Sequence, residues 1–571
     1  MRLTRGQVAG KQAGLTQDGP STAWMRSPSG AGIADSGPVA LPAGGASSTN
    51  RNNAAASCYE NVWYNLQAER SIRCPEVLME CWRRRLVVAP IFGLVLTLLV
   101  LGGCALWEAA PPADPLAEYR PALRPDFTVA PGQVEAWPRY SITLKIDPAG
   151  RAFTGTLELT LPVAGAVPLD DLYFRLYPNL RQFGGSLTAS SVRVDGKTVN
   201  YSFEAEGTAL HVALLAPLKP GSQAHIRLNF AGKTPQRAPG YYTVFGLSED
   251  VLSLTSFYPI LASRRDGKWA LEIASPQGDV GFHGIALYRV EVTAPADQVI
   301  AATGVQVLRA VSGDWATMRY VQGPAREFTL VLSPRFATAE MDAYGATVRS
   351  YFLPEDAEAG HVALYHAVAA LRIFSDQFGP YPYREMAVVQ APISFYGMEF
   401  PGLNLIGSQV YNKHINDLED RVVHEVAHQW WYNQVGNDQT QIPWLDEGLA
   451  EWSMYVYYQG RYGTPAAERL RRTRWEAAVQ AARQRGDDAP IGRPASAYKN
   501  NYEVIIYGKS ALFFAALRTE LGAETFRRVL AAYVERFRWR IATPADLQAV
   551  VKEVGGRDLS ALFAEWVGRE P

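Results

Sequence analysis

Two patterns of hydrophobic and polar positions divide the larger part of this chain. From about Tyr140 to Leu332, short segments alternate polar with apolar residues and are separated by Gly, Pro, Asp and Asn; Tyr140–Ile146 and Leu157–Leu161 are examples. Alternation with a period of two is typical of β-strands that bury one face. The pattern therefore predicts an all-β domain over residues 126–336.

Beyond residue 337 helical periodicity dominates. A strand-like segment, Ala346–Phe352, precedes a helical segment, Ala357–Phe378, and a second strand-like segment, Met386–Gln390. The helices predicted after these are Asp417–Gln434, Leu445–Tyr458, Pro465–Arg485, Lys509–Leu521, Ala523–Phe537 and Pro544–Glu553. A small mixed sheet followed by packed helices predicts an α+β, mainly helical domain over residues 337–571. The expected fold class is thus multidomain.

The N-terminal part has a different character. Leu86–Trp107 contains no charged side chain and directly follows Arg83-Arg84-Arg85, which is the order of an export signal or a signal anchor. Within it, Leu101-Gly102-Gly103-Cys104 resembles the bacterial lipobox, whose cysteine carries a lipid. We expect residues 79–104 to be a signal with a lipobox or a membrane anchor, which leaves the body outside the cytoplasm and anchored to the cell membrane.

The segments on either side of this run lack periodicity. Residues 1–78 are rich in Ser, Gly, Ala and Asn, which predicts a disordered extension or a mis-set start codon ahead of Met79. Residues 105–125 are rich in Pro and Ala and are predicted to be a tether.

Charge and cysteine content exclude several functions. The formal net charge is −1, so no general attraction to nucleic acid is expected. The cysteines are Cys58, Cys74, Cys81 and Cys104, so the body has neither a disulfide framework nor a thiolate metal site. A metal site in the body must use histidines and carboxylates.

One segment has the ligand spacing of a zinc site. His424 and His428 are four residues apart in a predicted helix, so their imidazoles lie on one face and converge. Such a pair suits tetrahedral zinc with a third protein ligand and an open fourth position. Glu425 follows the first histidine and can reach a water molecule without binding the metal.

A second predicted helix supplies the segment Trp444-Leu445-Asp446-Glu447-Gly448, with 18 residues between His428 and Glu447. This H-E-x-x-H, 18 residues, E spacing resembles the gluzincin metallopeptidases, and the local sequence resembles the aminopeptidase N family. The resemblance implies one Zn²⁺ bound by His424, His428 and Glu447, with Glu425 as general base. Glu451, one turn further on, either orients a zinc-bound imidazole or is a surface carboxylate.

The resemblance covers roughly residues 140–570. It implies a saddle-like β domain, a thermolysin-like catalytic domain, and a short bacterial lipoprotein-type member that lacks the C-terminal helical domain of larger relatives.

Two flanking motifs extend the resemblance. Gly397-Met398-Glu399 is similar to the family's G-x-M-E-N motif, which implies that Gly397 and Met398 align the peptide and that Glu399 binds its α-amine. Tyr396 and Phe400 depart from that motif. The stretch that corresponds to the family's second amine-binding group, Thr255–Pro259, offers no carboxylate.

A later segment resembles the family's Y-x-K-G motif. It contains Tyr507-Gly508-Lys509, which implies that Tyr507 donates a hydrogen bond to the developing oxyanion, with Tyr502 as a neighbour.

The favoured function is a zinc-dependent aminopeptidase that removes N-terminal residues from peptides by zinc-activated water. Two alternatives stay open: a gluzincin endopeptidase or other hydrolase, such as an epoxide-type enzyme, and a non-catalytic, membrane-tethered peptide-binding protein. The expected partners are peptide substrates and the membrane.

Overall fold

β-strands dominate the described residues between 139 and 333, as the alternating pattern predicts. A computed structural model describes residues 114–130, 132–236 and 244–568, which belong to one compact unit. The strands of the first domain are β1 Arg139–Asp147, β2 Ala152–Pro162, β3 Leu169–Arg175, β4 Ser186–Val194, β5 Lys197–Thr198, β6 Tyr201–Glu204, β7 Ala209–Leu218, β8 Gln223–Lys233, β9 Phe245–Ser248, β10 Val251–Leu254, β11 Ile260–Leu261, β12 Arg264–Arg265, β13 Lys268–Trp269, β14 Ala286–Pro295, β15 Val299–Ala302, β16 Val305–Ser312, β17 Trp315–Ala325 and β18 Leu330–Ser333.

These strands form layered sheets. The largest has eight strands in the order β16-β17-β14-β1-β2-β8-β4-β5, and two four-stranded sheets have the orders β15-β18-β10-β9 and β11-β3-β7-β6. In β8 the apolar side chains of Ala224, Ile226, Leu228 and Phe230 are buried while their polar neighbours are exposed. Burial of one face is the physical reason for the alternation in the sequence.

A second, five-stranded sheet begins at Ala337. Its strands are β19 Ala337–Ala343, β20 Ala346–Phe352, β21 Glu385–Ala391, β22 Gly397–Phe400 and β23 Leu403–Gly407, in the order β19-β20-β21-β23-β22. The pairs β20–β21 and β21–β23 are parallel, whereas β22 runs antiparallel to β23 and is an edge strand. This edge lies at the candidate site.

The five-stranded sheet is covered on both faces. Along β21, Met386 and Val388 belong to the hydrophobic core of the helices, whereas Ala387 and Val389 belong to the core of the β domain. Because successive strand residues point to opposite faces, one strand contributes to both cores. The β domain and the helices therefore meet across this sheet.

Helices build the remainder of the second domain. They are α1 Ala357–Phe378, α2 Ser408–Asn412, α3 Leu418–Ala427, α4 Trp444–Tyr462, α5 Thr464–Leu470, α6 Ala477–Arg485, α7 Ser510–Leu521, α8 Ala523–Phe537, α9 Pro544–Gly555 and α10 Ser560–Trp566, with π-helical segments at Arg471–Glu476 and Val504–Lys509. Two very short strands, β24 Val435–Gly436 and β25 Arg540–Ile541, pair in parallel. The predicted multidomain class, all-β followed by α+β, is confirmed.

One predicted helix is too long. The prediction of a helix over 417–434 is wrong beyond Ala427, where α3 ends and a turn follows. Tyr432 has φ +78°, a left-handed conformation that an α-helix cannot contain. The carbonyl oxygens of Tyr432 and Gln434 instead accept hydrogen bonds from the Arg326 guanidinium. Long-range contacts thus override the local helical pattern.

The described residues cover only part of the N-terminal segments for which predictions were made. In the described portion of the predicted tether, Leu116, Tyr119, Ala122 and Leu123 are buried, so residues 114–125 pack against the body instead of forming a free linker. The predicted extension (1–78) and the signal or anchor (79–104) lie outside the described residues. Within the described residues, no helix is both long enough and apolar enough to cross a membrane.

Candidate active site

Two consecutive long helices bring three metal-binding side chains together. Helix α3 carries His424, His428 is the residue that caps its C-terminal end, and α4 carries Glu447; all three are buried. His424 Nε2 lies 3.2 Å from both His428 Nε2 and Glu447 Oε2, and His428 Nε2 lies 3.4 Å from that oxygen. A tetrahedral zinc ion with bonds of about 2.0–2.1 Å spaces its ligand atoms about 3.3–3.4 Å apart. The three residues therefore fit such an ion.

The outer nitrogens of both rings have partners that orient them. His428 Nδ1 lies 3.3 Å from the Trp431 carbonyl oxygen, and His424 Nδ1 lies 3.3 Å from Glu451 Oε1. These contacts direct both Nε2 atoms toward Glu447. Partners of this kind fix the tautomer and the ring plane of a metal-binding histidine.

Glu451 is fully buried, so it is not a surface carboxylate. Arg474 donates to it through Nε (3.0 Å) and Nη2 (2.7 Å), and the Trp475 indole donates to Oε2 (2.7 Å). Burial opposes ionisation of Glu451, but Arg474 and His424 outweigh it and lower its pKa. Of the two roles left open for Glu451, the geometry favours orienting an imidazole.

Glu425 lies against the edge strand β22. A Cβ atom on Gly397 would lie 2.0 Å from Glu425 Oε1, so no larger residue fits at 397 without moving that carboxylate. Burial, with Glu399 and Glu447 adding to it, raises the pKa of Glu425 to about 8 despite the two histidines. A carboxylate with a pKa near neutrality is suited to accept and return a proton.

Glu399, on the same edge strand, is buried and has a carboxylate oxygen within 4.8 Å of a ring nitrogen of His428. Its Oε1 accepts a hydrogen bond from Gln439 Nε2 (2.8 Å), which also donates to Asp446 Oδ2 (2.9 Å). Glu399, His428 and Asp446 approach closely enough to form a second potential metal-binding group. Burial raises the pKa of Glu399, although His428 opposes the shift.

Tyr507 stands beside the ligands. It lies in the π-helical segment Val504–Lys509, and its hydroxyl donates to Glu447 Oε1 at 2.7 Å. The Tyr502 ring is its neighbour at a centroid distance of 6.2 Å. The structure thus brings seven of the eight candidate residues, from three separate motifs, into one site, whereas the Met398 side chain packs in the hydrophobic core of the β domain.

Three further carboxylates were not identified from the sequence. Asp446 adjoins Glu447, and burial with Glu447 raises its pKa to about 7. Asp279, on a β-domain loop, has a pKa raised well above its usual range by burial and by Glu399 and Glu447. Glu327 lies just before β18, and burial raises its pKa to about 7. Asp446 was within a recognised motif; Asp279 and Glu327 carry no local signal, because they reach the site through tertiary contacts.

The surroundings of the site are therefore acidic. Apart from Glu447 and Glu451, the carboxylates of this cluster have raised pKa values, because burial opposes their ionisation and neighbouring carboxylates add to it. A divalent cation and an ammonium group are the ligands that such a cluster would stabilise.

The sequence is similar to known proteins over most of the described part. A family model described as the peptidase family M1 domain matches residues 362–566. Aminopeptidase M1-A of Oryza sativa subsp. japonica is 25% identical over 473 residues, which are 76% of this chain and 50% of that protein. The alanine/arginine aminopeptidase of Saccharomyces cerevisiae is 27% identical over 252 residues, 40% of this chain and 28% of that protein. The chain spans about half the length, or less, of these curated relatives.

A solved structure has the same fold. The M1 zinc metallopeptidase from Deinococcus radiodurans superposes with a TM-score of 0.57 at 21% sequence identity, covering 76% of this chain and 94% of that one. A mutant of an M1 zinc metallopeptidase from that organism, bound to a Tyr-Ser-Ala substrate, gives a TM-score of 0.56 with the same coverage.

Proposed function

We propose that this protein is a zinc-dependent aminopeptidase, because residues 362–566 match the family model described as the peptidase family M1 domain. The observation that carries the proposal is the convergence of His424, His428 and Glu447 at tetrahedral ligand spacing, with Glu425 beside them. The names of the similar proteins support the same activity, since they are aminopeptidases and M1 zinc metallopeptidases.

Two imidazoles and one carboxylate are a donor set that fits zinc rather than a harder cation. Zn²⁺ held there would supply Lewis-acid chemistry, polarising a scissile carbonyl and acidifying water. Glu425 would accept the proton of the attacking water and return it to the leaving amine. Tyr507 would donate its hydroxyl hydrogen to the developing oxyanion, and one positioned donor of this kind is typically worth about 3 kcal/mol.

Removal of N-terminal residues is supported by the edge strand β22. A peptide can add to that edge through main-chain hydrogen bonds, aligned by Gly397 and Met398. Glu399 then stands at the end of the strand as a carboxylate for the free α-amine. The Tyr-Ser-Ala substrate bound to the similar Deinococcus radiodurans mutant is a peptide of this kind.

The test is hydrolysis of matched substrates by the metal-loaded and the metal-free protein. We expect the zinc-loaded protein to cleave Ala-p-nitroanilide but not its N-acetyl form, because Glu399 recognises the ammonium. Removal of zinc with a chelator should abolish turnover, and added Zn²⁺ should restore it. Glu425→Gln should keep its zinc, measured by atomic absorption, yet lose about 10²–10⁴-fold in kcat.

Other outcomes of the same assay distinguish the alternatives. Cleavage of blocked peptides at internal bonds would identify a gluzincin endopeptidase. Stoichiometric zinc and peptide binding without turnover would identify a peptide-binding protein. Near-normal turnover by Glu425→Gln would remove Glu425 from the role of general base.

We also propose that the protein is anchored outside the cytoplasmic membrane, through a lipid on Cys104 or through the apolar run itself. The support is the uncharged stretch Leu86–Trp107 after three arginines. Metabolic labelling with a radioactive fatty acid tests the lipid, with Cys104→Ser as the control: loss of label in that variant is expected, and unchanged label would contradict it.

A further inference from the structure

The outer face of the eight-stranded sheet carries a groove that lies apart from the candidate active site. The groove crosses β4, β8, β2, β1 and β14, its volume is about 530 Å³, and none of the described residues that line it belongs to the zinc site. Along β1, Ile142 and Leu144 are buried in the core of the β domain, whereas Thr143 and Lys145 point outward and are exposed. Volumes of about 300–1,000 Å³ are usual for ligand-binding sites.

Two neighbouring rows of side chains run across the strands and line the groove. The first row consists of Ser190, Asn229, Thr156, Thr143 and Glu291. The second row, two residues further along each strand, consists of Thr188, Ala231, Thr154, Lys145 and Thr293. Residues directly opposite one another in neighbouring strands share a face. Because the rows cross five strands about 4.8 Å apart, the groove is about 19 Å long.

Most of these side chains are uncharged hydrogen-bonding groups. Seven of the ten are hydroxyls or an amide, each of which can both donate and accept. The Thr156 hydroxyl donates to Asn229 Oδ1 at 3.1 Å, and the Thr293 hydroxyl lies 3.1 Å from that of Thr317 on β17. A hydroxyl that donates one such bond can still accept another. These contacts therefore hold the groups in place and leave them able to bind a ligand.

The uncharged character is confined to the groove. The next row along the same strands consists of Arg193, Arg227, Glu158, Ser141 and Arg289, four of which are charged. That row shows that charged side chains serve equally well on this face when it only has to be solvated. The concentration of hydroxyl and amide groups over the groove indicates a ligand that is itself uncharged and rich in hydrogen-bonding groups.

The charged side chains at the groove already have partners. Glu291 accepts a hydrogen bond from Arg319 Nη2 at 2.9 Å. Lys145 Nζ lies 4.7 Å from the centre of the Trp315 ring, a cation–π contact that orients the ring. Trp315, on β17 beyond the end of the second row, is still 37% exposed. An exposed aromatic ring next to hydroxyl groups offers a flat apolar surface on which a sugar ring can stack.

Other classes of polymer fit this groove less well. A peptide that adds to a sheet needs a free strand edge, whereas β8, β2, β1 and β14 each lie between two neighbouring strands. A nucleic acid needs several cationic groups for its phosphates, and of the described residues that line the groove only Lys145 is cationic. A polyhydroxylated, uncharged chain matches both the hydroxyl rows and the aromatic ring.

We infer that this groove binds a neutral glycan chain, lying across the strands with its hydroxyl groups on the two rows and one sugar ring on Trp315. The site goes beyond the proposed peptidase function and does not depend on it. Hexoses and N-acetylhexosamines share the chemistry that the groove recognises, so the choice between them is an outcome of the experiment.

Calorimetric titration of the purified full-length protein tests the inference. The probes are cellohexaose, maltohexaose and chitohexaose, with the corresponding disaccharides and heparin for comparison. We expect one hexasaccharide to bind at least about tenfold more tightly than its disaccharide, because several sugars contact the groove. The hexasaccharide that binds identifies the sugar. Absence of binding by all three, equal affinity for the disaccharide, or tighter binding of heparin would overturn the inference.

Paired variants locate the binding site. Replacing both Thr154 and Thr156 by Val removes two hydroxyls from the groove but keeps the branched shape, and should weaken the hexasaccharide about tenfold or more. Trp315→Ala should weaken it by a similar factor. Thr160→Val is the matched control, because Thr160 lies on the same strand and the same face as Thr156 but outside the groove. Unchanged affinity in the groove variants, or an equal loss in Thr160→Val, would place the glycan elsewhere.

Thermal unfolding separates a binding role from a structural one. The double valine variant should unfold at the temperature of the parent protein, because valine and threonine both favour strands. Saturating hexasaccharide should raise the unfolding temperature of the parent but not that of the double variant. A variant that lost stability together with affinity would show that the hydroxyls serve the fold and not a ligand.

Discussion

At the scale of single residues, one side-chain type serves several purposes because its surroundings differ. Glu447 contacts two imidazoles, which overcome the effect of burial and lower its pKa, as a metal ligand requires. Glu425, one residue after the first histidine, has its pKa raised to about 8 by burial. Environments that separate the pKa values of neighbouring carboxylates are the usual way in which a site assigns ligand and base.

The buried carboxyl group of Glu327 should make the free energy of unfolding depend on pH. Its folded pKa of about 7 lies above the ordinary value of 4.5, so the protonated side chain stabilises the fold below pH 4.5 and that contribution is lost as pH rises toward 7. Glu327→Gln cannot ionise. Its free energy of unfolding should therefore exceed that of the parent by a margin that grows between pH 4.5 and 7 and then levels off, at roughly 3 kcal/mol or less.

Urea unfolding of both proteins across pH 4.5–8 measures this margin. The exposed Glu249→Gln should show no such growth. A margin that stayed constant across this range would mean that Glu327 titrates normally in the folded protein.

At the scale of elements, two π-helical segments deliver side chains to the site. Arg471–Glu476 carries Arg474 and Trp475 to Glu451, and Val504–Lys509 carries Tyr507 to Glu447. The two segments pack together: a Cβ atom on Gly508 would lie 3.8 Å from the Trp475 Cα atom. π-helical turns change the direction of side chains relative to an α-helix and are frequent at functional sites.

Arg474→Met should weaken zinc binding without touching a ligand. Glu451 would lose its two charged hydrogen bonds from Arg474, so its contact with His424 Nδ1 would no longer be held in place. We expect zinc affinity to fall about 10–100-fold, as is typical for loss of such an outer contact. Competition with a fluorescent chelator measures it.

Arg472→Met is the matched control, since Arg472 lies in the same π-helical segment but is exposed. Equal zinc affinity in both variants would show that Glu451 holds His424 without help from Arg474.

At the scale of the whole molecule, Arg326 joins the two domains. It lies at the end of the β domain, and its guanidinium donates to the carbonyl oxygens of Tyr432, Gln434 and Arg540 in the second domain and of His283 in the first. A Cβ atom on Gly436 would lie 2.1 Å from the Arg326 Cζ atom, so a glycine is needed there. This buried side chain fixes the turn that follows His428.

Arg326→Met should destabilise the protein by about 3 kcal/mol or more, because buried carbonyl groups on both domains lose their donor. Thermal and urea unfolding measure the loss. Arg319→Met is the control, because Arg319 lies on β17 shortly before Arg326 but is partly exposed and pairs with Glu291. Its loss should lower the free energy of unfolding much less. Equal losses would show that the interface does not depend on Arg326.

Several features were predictable because they depend on local pattern. The bounds of Ala346–Phe352, Ala357–Phe378 and Ala523–Phe537 agree with the structure, since each segment has a clear period and a turn at either end. The pairing of His424 with His428 follows from the pitch of one helix, and Glu447 follows from the spacing of a known motif. Local geometry is enough for the strand, the helices and the histidine pair, whereas Glu447 is implied by the resemblance to a known motif.

Only the tertiary structure decided the remaining features of the site, because contacts between residues far apart in the sequence produce no periodic pattern along the chain. The helix that carries His424 stops at Ala427 because Arg326, about a hundred positions earlier, binds the carbonyls of the turn. Glu327 accepts a hydrogen bond from Ser256, which lies 71 positions earlier in the chain. The amino-acid sequence thus determined the elements and the metal-binding motif, whereas packing of the β domain against the second domain decided which further carboxylates lie near the candidate site.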